Sequence, residues 1–137
     1  MASISTLSNP AAQAEIVEAL NQCVAETVVT TMLAQNFHWN VTGMAFGPLH
    51  DLFQKIYEDH FTGQDELAER IKAIGCHAEG TLGGMVSRSK VAEHDDHASD
   101  REMISMMLQA QEILAETLAG ASDAAAVHGD RLTEDLC

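Results

Sequence analysis

The stretch Asn36–His50, NFHWNVTGMAFGPLH, decides how the chain folds. It holds the only Trp, two of the seven His, and Gly43, Gly47 and Pro48 within fifteen residues. Glycine and proline at that density punctuate a chain and turn it. What flanks the turn therefore folds back on itself, and His38 is brought toward His50.

Upstream, Ile16, Leu20, Val24, Thr27, Thr31 and Ala34 recur at helical spacing, with His38 as the next step on the same face. The helix is expected to begin after Asn9-Pro10, since Asn caps well and Pro is tolerated in the first turn. Downstream, Leu49, Phe53, Ile56, His60, Leu67, Ile71 and Ile74 mark the apolar stripe of a second helix, from Pro48 to a Gly75 cap. Residues 76–99 hold three Gly and mixed polarity, and predict a crossover with a short helix at Leu82–Ser87. A third helix is expected from Asp100 to Ala126, with Ile104, Met107, Leu114 and Leu118 inward and the Met103, Met106, Met107 group as core filler. Gly129-Asp130 ends it, and Asp130 is placed to cap a fourth helix of about two turns.

The composition agrees with an all-α chain of one domain, residues 1–137. Helix formers are abundant and there are two Pro. The chain carries 21 acids against 7 bases, net −14, so it repels nucleic acid and attracts cations. No Lys or Arg precedes Lys55. The N-terminal residues lack the basic and apolar regions of a signal peptide, and no apolar run reaches membrane-spanning length. Cys23, Cys76 and Cys137 show no metal or redox spacing, which fits a reducing, cytoplasmic setting.

Asp65 and Glu69, in DELAERI, lie one turn apart on one face of the second helix. Carboxylates and imidazoles on facing helices are what bundle proteins use to hold iron or manganese. On their own, Asp65 and Glu69 also suit a solvated face with Glu69 paired to Lys72, and His38 or His50 alone suits a structural role. His50 and Asp65 are fifteen residues apart, roughly 22 Å at the helical rise. Bonds to a metal are about 2 Å, so one chain cannot bring both to one ion. Either the residues are unrelated, or two antiparallel copies share two equivalent sites across a two-fold axis.

The run HWNVTGMAFGPLHDLFQKIYEDHFTGQDELAERIKAIG closely resembles the signature of the Dps family, the ferritin-like mini-ferritins. The resemblance is densest over residues 36–75 and extends more weakly over most of the chain. It implies a ferritin-like four-helix bundle with a long crossover between helices 2 and 3, assembled into a hollow dodecamer. It also implies ferroxidase centres shared between subunits at two-fold interfaces. Carried over, the ligand pattern falls on His38, His50, Asp65 and Glu69, and Trp39 matches the Trp near such centres. The implied reaction oxidises ferrous iron, with hydrogen peroxide the preferred oxidant, and stores the ferric product. Imidazole binds metal only when neutral, so such a site weakens in acid.

The sequence departs from the family pattern at two places. One turn after His50 the family places Asp or Glu, and here stands Gln54, a neutral and weaker iron ligand. Asp51 points about 60° away from the direction of Gln54 and Glu58 lies a turn further along, so neither replaces it cleanly. Gln54 makes a non-enzymatic metal-binding cage the alternative function, and a helical interaction module with structural His residues a third. The family's fourth helix also runs beyond GDRLTEDLC, so here it is expected to be shortened, leaving a stripe from Leu20 to Leu118 uncovered. Asp130, Glu134 and Asp135 loosely resemble the family's three-fold iron channel, but suit a capped, solvated helix start better. Arg70 is expected to anchor a helix interface through a carboxylate. His77, His94, His97 and His128 read as surface residues with at most adventitious metal. Some family members bind DNA through a basic tail; this chain has none and is expected not to bind it.

Overall fold

The computed structural model describes residues 9–94 and 96–137, and the leader reading made on residues 1–8 lies outside them. Among the described residues five helices follow one another: α1 (Pro10–Asn40), α2 (Phe46–Ile74), α3 (Leu82–Arg88), α4 (Asp100–Val127) and α5 (Arg131–Leu136). The three long helices form the bundle, α3 lies in the crossover, and α5, six residues long, follows α4. No helix among the described residues is long and apolar enough to cross a membrane.

Each boundary has a local cause. Asn9 accepts a hydrogen bond from the Ala11 N–H at 3.0 Å, and Pro10 occupies the first helical position. α2 begins at Phe46, two residues ahead of the expected Pro48, because proline fits the first turn of a helix as readily as its start. It ends at Gly75, whose φ of +97° is left-handed and lets its N–H reach the last carbonyls. The Gln13 side chain also donates to the Ile74 carbonyl at 2.8 Å, tying the foot of α2 to α1. α4 opens with a capping box in which Ser99 and Glu102 satisfy each other's backbone N–H.

Two apolar clusters fill the bundle. One, near the α1–α2 turn, contains Phe37, Leu49, Phe53, Met103 and Met107. The other, toward the far end, contains Ile16, Leu20, Cys23, Ile71 and Ala121. Met103 and Met107 are core, as expected, and Met106 is half-buried. Ile104, expected inward, is exposed instead. The inward face of α4 runs Met103, Met107, Ala110, Leu114, and Ile104 sits about 100° round from Met103. Leu20, expected on the uncovered stripe, is fully buried against Ile16 and Ile71; the groove that stays open lies between α2 and α4, beside Thr27, Leu67, Leu114 and Leu118.

Polar groups inside the bundle are satisfied locally. The buried hydroxyls of Thr27, Thr30 and Thr31 each donate to the carbonyl four residues back, at 2.7 Å. Glu26 is wholly buried and accepts from the Thr117 hydroxyl, from Gln22 Nε2 at 3.0 Å and from the Lys90 N–H at 3.0 Å. One carboxylate thereby joins α1, α4 and the crossover. Arg88 of α3 pairs with Glu18 of α1 and with Glu79, which lays the crossover along the bundle.

Arg70 anchors α5 through a carboxylate, as expected. Its Nη2 donates to Asp130 Oδ1 at 2.9 Å and its Nε to the Thr133 hydroxyl at 2.9 Å. Asp130 also caps α5. Burial alone would raise the Asp130 carboxyl. Hydrogen bonds from the Thr133 hydroxyl and N–H and the Arg70 guanidinium outweigh it and hold the group below the usual carboxylate range. Committed to Arg70 and 1% exposed, Asp130 has no free carboxylate for a channel, while Glu134 and Asp135 stay at the surface.

Candidate metal centre

His38 sits in the last turn of α1 and His50 in the second turn of α2, and the chain between them reverses through Gly43. Gly43 has φ +104°, a backbone conformation that side-chain-bearing residues avoid. The reversal brings the two rings face to face, with centroids 3.6 Å apart and planes 22° apart.

The pair is locked by an exchange of hydrogen bonds. His38 Nδ1 donates to the His50 carbonyl at 2.7 Å, and His50 Nδ1 donates to the His38 carbonyl at 2.8 Å. A carbonyl oxygen can only accept, so both Nδ1 atoms carry the proton. The His38 carbonyl is one of the last four of α1, which have no partner within the helix, so His50 also caps that helix. Each ring is left with an Nε2 that has no protein partner among the described residues and is not sealed from solvent. Fixing one nitrogen with a backbone carbonyl so that the other is presented is how ligating imidazoles are held.

Two further rings complete a column. Phe46 stacks on His50 at 5.0 Å, and Tyr57 meets His38 edge-on at 5.3 Å. The order is Phe46, His50, His38, Tyr57. The sequence reading passed over both Phe46 and Tyr57; their spacing of four before and seven after His50, on one face of α2, was the available signal.

The other candidate residues lie elsewhere on α2. Asp65 and Glu69 are both exposed, and neither takes part in an ion pair or side-chain hydrogen bond among the described residues, the Glu69–Lys72 pairing included. α2 runs unbroken over 29 residues, so the separation from His50 stands at roughly 22 Å. The chain brings His38 and His50 together and keeps Asp65 and Glu69 apart from them. Among the described residues, no three His, Cys, Asp or Glu side chains converge to hold a metal ion. Gln54, half-buried, donates from Nε2 to Glu58 at 2.8 Å. Trp39 is exposed beside His38 in sequence.

Two of the remaining His residues, expected as surface bystanders, are built into the fold. His128 pairs with Glu15 at 2.8 Å, linking the end of α4 to α1. His94 packs edge-on against Phe37, and its carbonyl accepts from Asn36. His77 and His97 are exposed.

A three-helix bundle with a crossover helix and an imidazole pair at one end of α2 defines a class. Residues 17–137 match the Ferritin-like domain family. The DNA protection during starvation protein 2 of Bacillus anthracis is 31% identical over 122 residues, covering 89% of this chain and 84% of that one. The crystal structure of Dps from Staphylococcus aureus superposes with a TM-score of 0.87 at 35% identity, over 90% of this chain and 83% of that one. The structure of a Dps protein from Vibrio cholerae, described as a member of the ferritin-like diiron-carboxylate superfamily, gives 0.90 at 27% identity, over 99% and 87%. The chain belongs to the Dps family of ferritin-like proteins.

Proposed function

We propose that this chain is a ferroxidase and iron-storage subunit. Its dinuclear centres are each formed by His38, His50 and Gln54 of one copy with Asp65 and Glu69 of another. Residues 1–137 act as one ferritin-like domain, the repeating unit of a hollow, dodecameric shell. The observation that carries this reading is the spacing of two ligand sets along α2, with His38 of α1 packed against His50 at its start. Two imidazoles present free Nε2 atoms at its start, and two unpaired carboxylates stand roughly 22 Å further on. An antiparallel two-fold pairing of α2 with its copy places each half-set opposite the other. Phe61, 63% exposed and on the same face of α2 as His50 and Asp65, supplies apolar surface for that pairing.

The chemistry follows from the donor set. Imidazole nitrogen and carboxylate oxygen bind ferrous iron, and the carboxylate charge favours the ferric product. Two ferrous ions each give one electron to hydrogen peroxide. The O–O bond breaks and, with two protons taken up, two waters leave. Ferric iron then passes into the acidic interior and mineralises. Consuming peroxide and ferrous iron together removes both reactants of hydroxyl-radical formation. The net charge of −14 opposes contact with phosphates, so protection is chemical rather than by coating DNA, and no gel shift is expected at low salt without added metal. Three unpaired cysteines fit a cytoplasmic setting.

Subunit mixing tests the shared centre. His50→Ala and Glu69→Ala chains are each expected to be inactive alone. Mixed pairs regain about half the sites, because one of the two centres in each pair keeps both intact halves. No recovery on mixing rejects the shared centre. Gln54 favours a second reading, a metal-binding cage without turnover. Ferrous binding with no oxidation on adding peroxide would select it.

A further inference from the structure

The departure at Gln54 has a structural counterpart one turn along the helix. Gln54 Nε2 donates to Glu58 Oε1 at 2.8 Å, a bond between positions i and i+4 on α2. The amide of a glutamine can be turned either way, and its two ends do opposite chemistry: Nε2 only donates, and Oε1 only accepts or ligates. A carboxylate can only accept. Glu58 therefore selects the orientation in which Nε2 faces away from the start of α2. Oε1 is left as the free atom of Gln54, on the helical face that carries His50 four residues earlier. The lost charge at position 54 also reappears as the Glu58 carboxylate, one hydrogen bond removed.

We propose that Glu58 is a positioning residue for the imidazole side of the centre. It turns the Gln54 amide so that Oε1 serves as a metal ligand, and it polarises that amide so that the oxygen is a better donor than an unassisted one. This rests on the shared-centre reading above. It places in the α2 helix of a single chain a device that repeats the logic of the histidines: one atom of each ligand is tied down so that the other is presented. Removing a hydrogen-bond partner that orients a metal ligand costs about ten-fold or more in affinity.

Cobalt(II), which is not oxidised under these conditions and reports its ligands by absorption, is the probe. Titrations of the assembled protein compare wild type with Glu58→Ala, Glu58→Gln, Gln54→Ala, the double variant Gln54→Ala/Glu58→Ala, and His50→Ala. Glu58→Ala is expected to weaken the imidazole-side position about ten-fold and to shift its visible bands, leaving the carboxylate-side position unchanged. Glu58→Gln, which still accepts the bond but lacks the charge, falls between. In the Gln54→Ala background the Glu58 substitution has no further effect. Equal cobalt affinity and spectra in wild type and Glu58→Ala overturn the proposal, as does an equal loss with and without Gln54. The His50→Ala arm separates the two levels. Weaker binding there with no Glu58 effect removes only the positioning role, whereas unchanged binding there removes the shared centre as well.

Discussion

His38 and His50 each give the Nδ1 proton to the other's backbone carbonyl, at 2.7 and 2.8 Å, across the turn that joins α1 to α2. Ring orientation, protonation pattern and the cap of α1 are thus one arrangement. The expected outcome is that both rings of the metal-free protein are Nδ1-protonated tautomers, read by long-range proton–nitrogen NMR on histidine-labelled protein. A ring carrying its proton on Nε2 would contradict the exchange.

The Arg70–Asp130 pair holds α5 to α2 with almost no solvent access, the side chains being 10% and 1% exposed. Arg70→Ala leaves a buried carboxylate without its counter-charge and is expected to cost about 3–5 kcal/mol in denaturant unfolding. Arg70→Met with Asp130→Leu removes both charges and is expected to cost far less. Equal costs would place the stability elsewhere than in the pairing.

Acid sensitivity follows from the same carboxylate. The folded state holds Asp130 below its ordinary value, so the unfolded chain takes up its proton first as pH falls. The stabilisation is complete above the unfolded value, about pH 4, and is lost as pH drops through the lower folded value. Unfolding free energy of the wild type should therefore fall below about pH 4 more steeply than that of the Arg70→Met/Asp130→Leu protein. Parallel curves would assign acid unfolding to other groups.

Glu26 joins α1, α4 and the crossover through one buried carboxylate. Glu26→Ala strands the Thr117 hydroxyl and the Lys90 N–H, leaves Gln22 only its bond to the Arg88 carbonyl, and is expected to destabilise by about 3 kcal/mol. The effect should be local as well as global. Hydrogen exchange at the Lys90 amide accelerates, while the Phe37–Phe53 cluster keeps its protection until global unfolding. An unchanged Lys90 exchange rate would remove the link to the crossover.

Cys23 lies in the far core cluster, and burial pushes its thiol up to about 12, with Cys137 and Glu26 adding to the shift. Its thiolate is therefore rare at pH 8, and the native protein should resist iodoacetamide at Cys23 until denatured. Cys76, partly exposed, is expected to be alkylated in the folded state. Peptide mapping of the label decides it, and early modification of Cys23 would show that the far cluster opens.

The fold was legible where a residue type has one local meaning. Asn9-Pro10, Gly75 and the Gly-rich crossover each mark a boundary by backbone conformation, and α3 falls within a residue of its expected end. Ile104 was misread because isoleucine fits an apolar pattern in either of two registers, and packing against α1 selects the one through Met103 and Met107. Glu26 left no signal, since a lone acid in a helix reads as a surface residue until three donors from elsewhere surround it. Of the site, the two His and two carboxylates are visible as residue types at helical spacing. The hydrogen-bond exchange and the bond from Gln54 to Glu58 depend on the turn at Gly43 and on side-chain geometry that spacing does not encode.

The unbroken length of α2 carries a kinetic consequence. On the shared-centre reading, an isolated chain holds two incomplete donor sets and no complete one. Oxidation at low protein concentration then scales with the square of chain concentration, and dilution silences the protein while every helix remains folded. On that same reading a newly made chain does not generate ferric iron on its own surface, and mineral growth starts only where a second copy has docked.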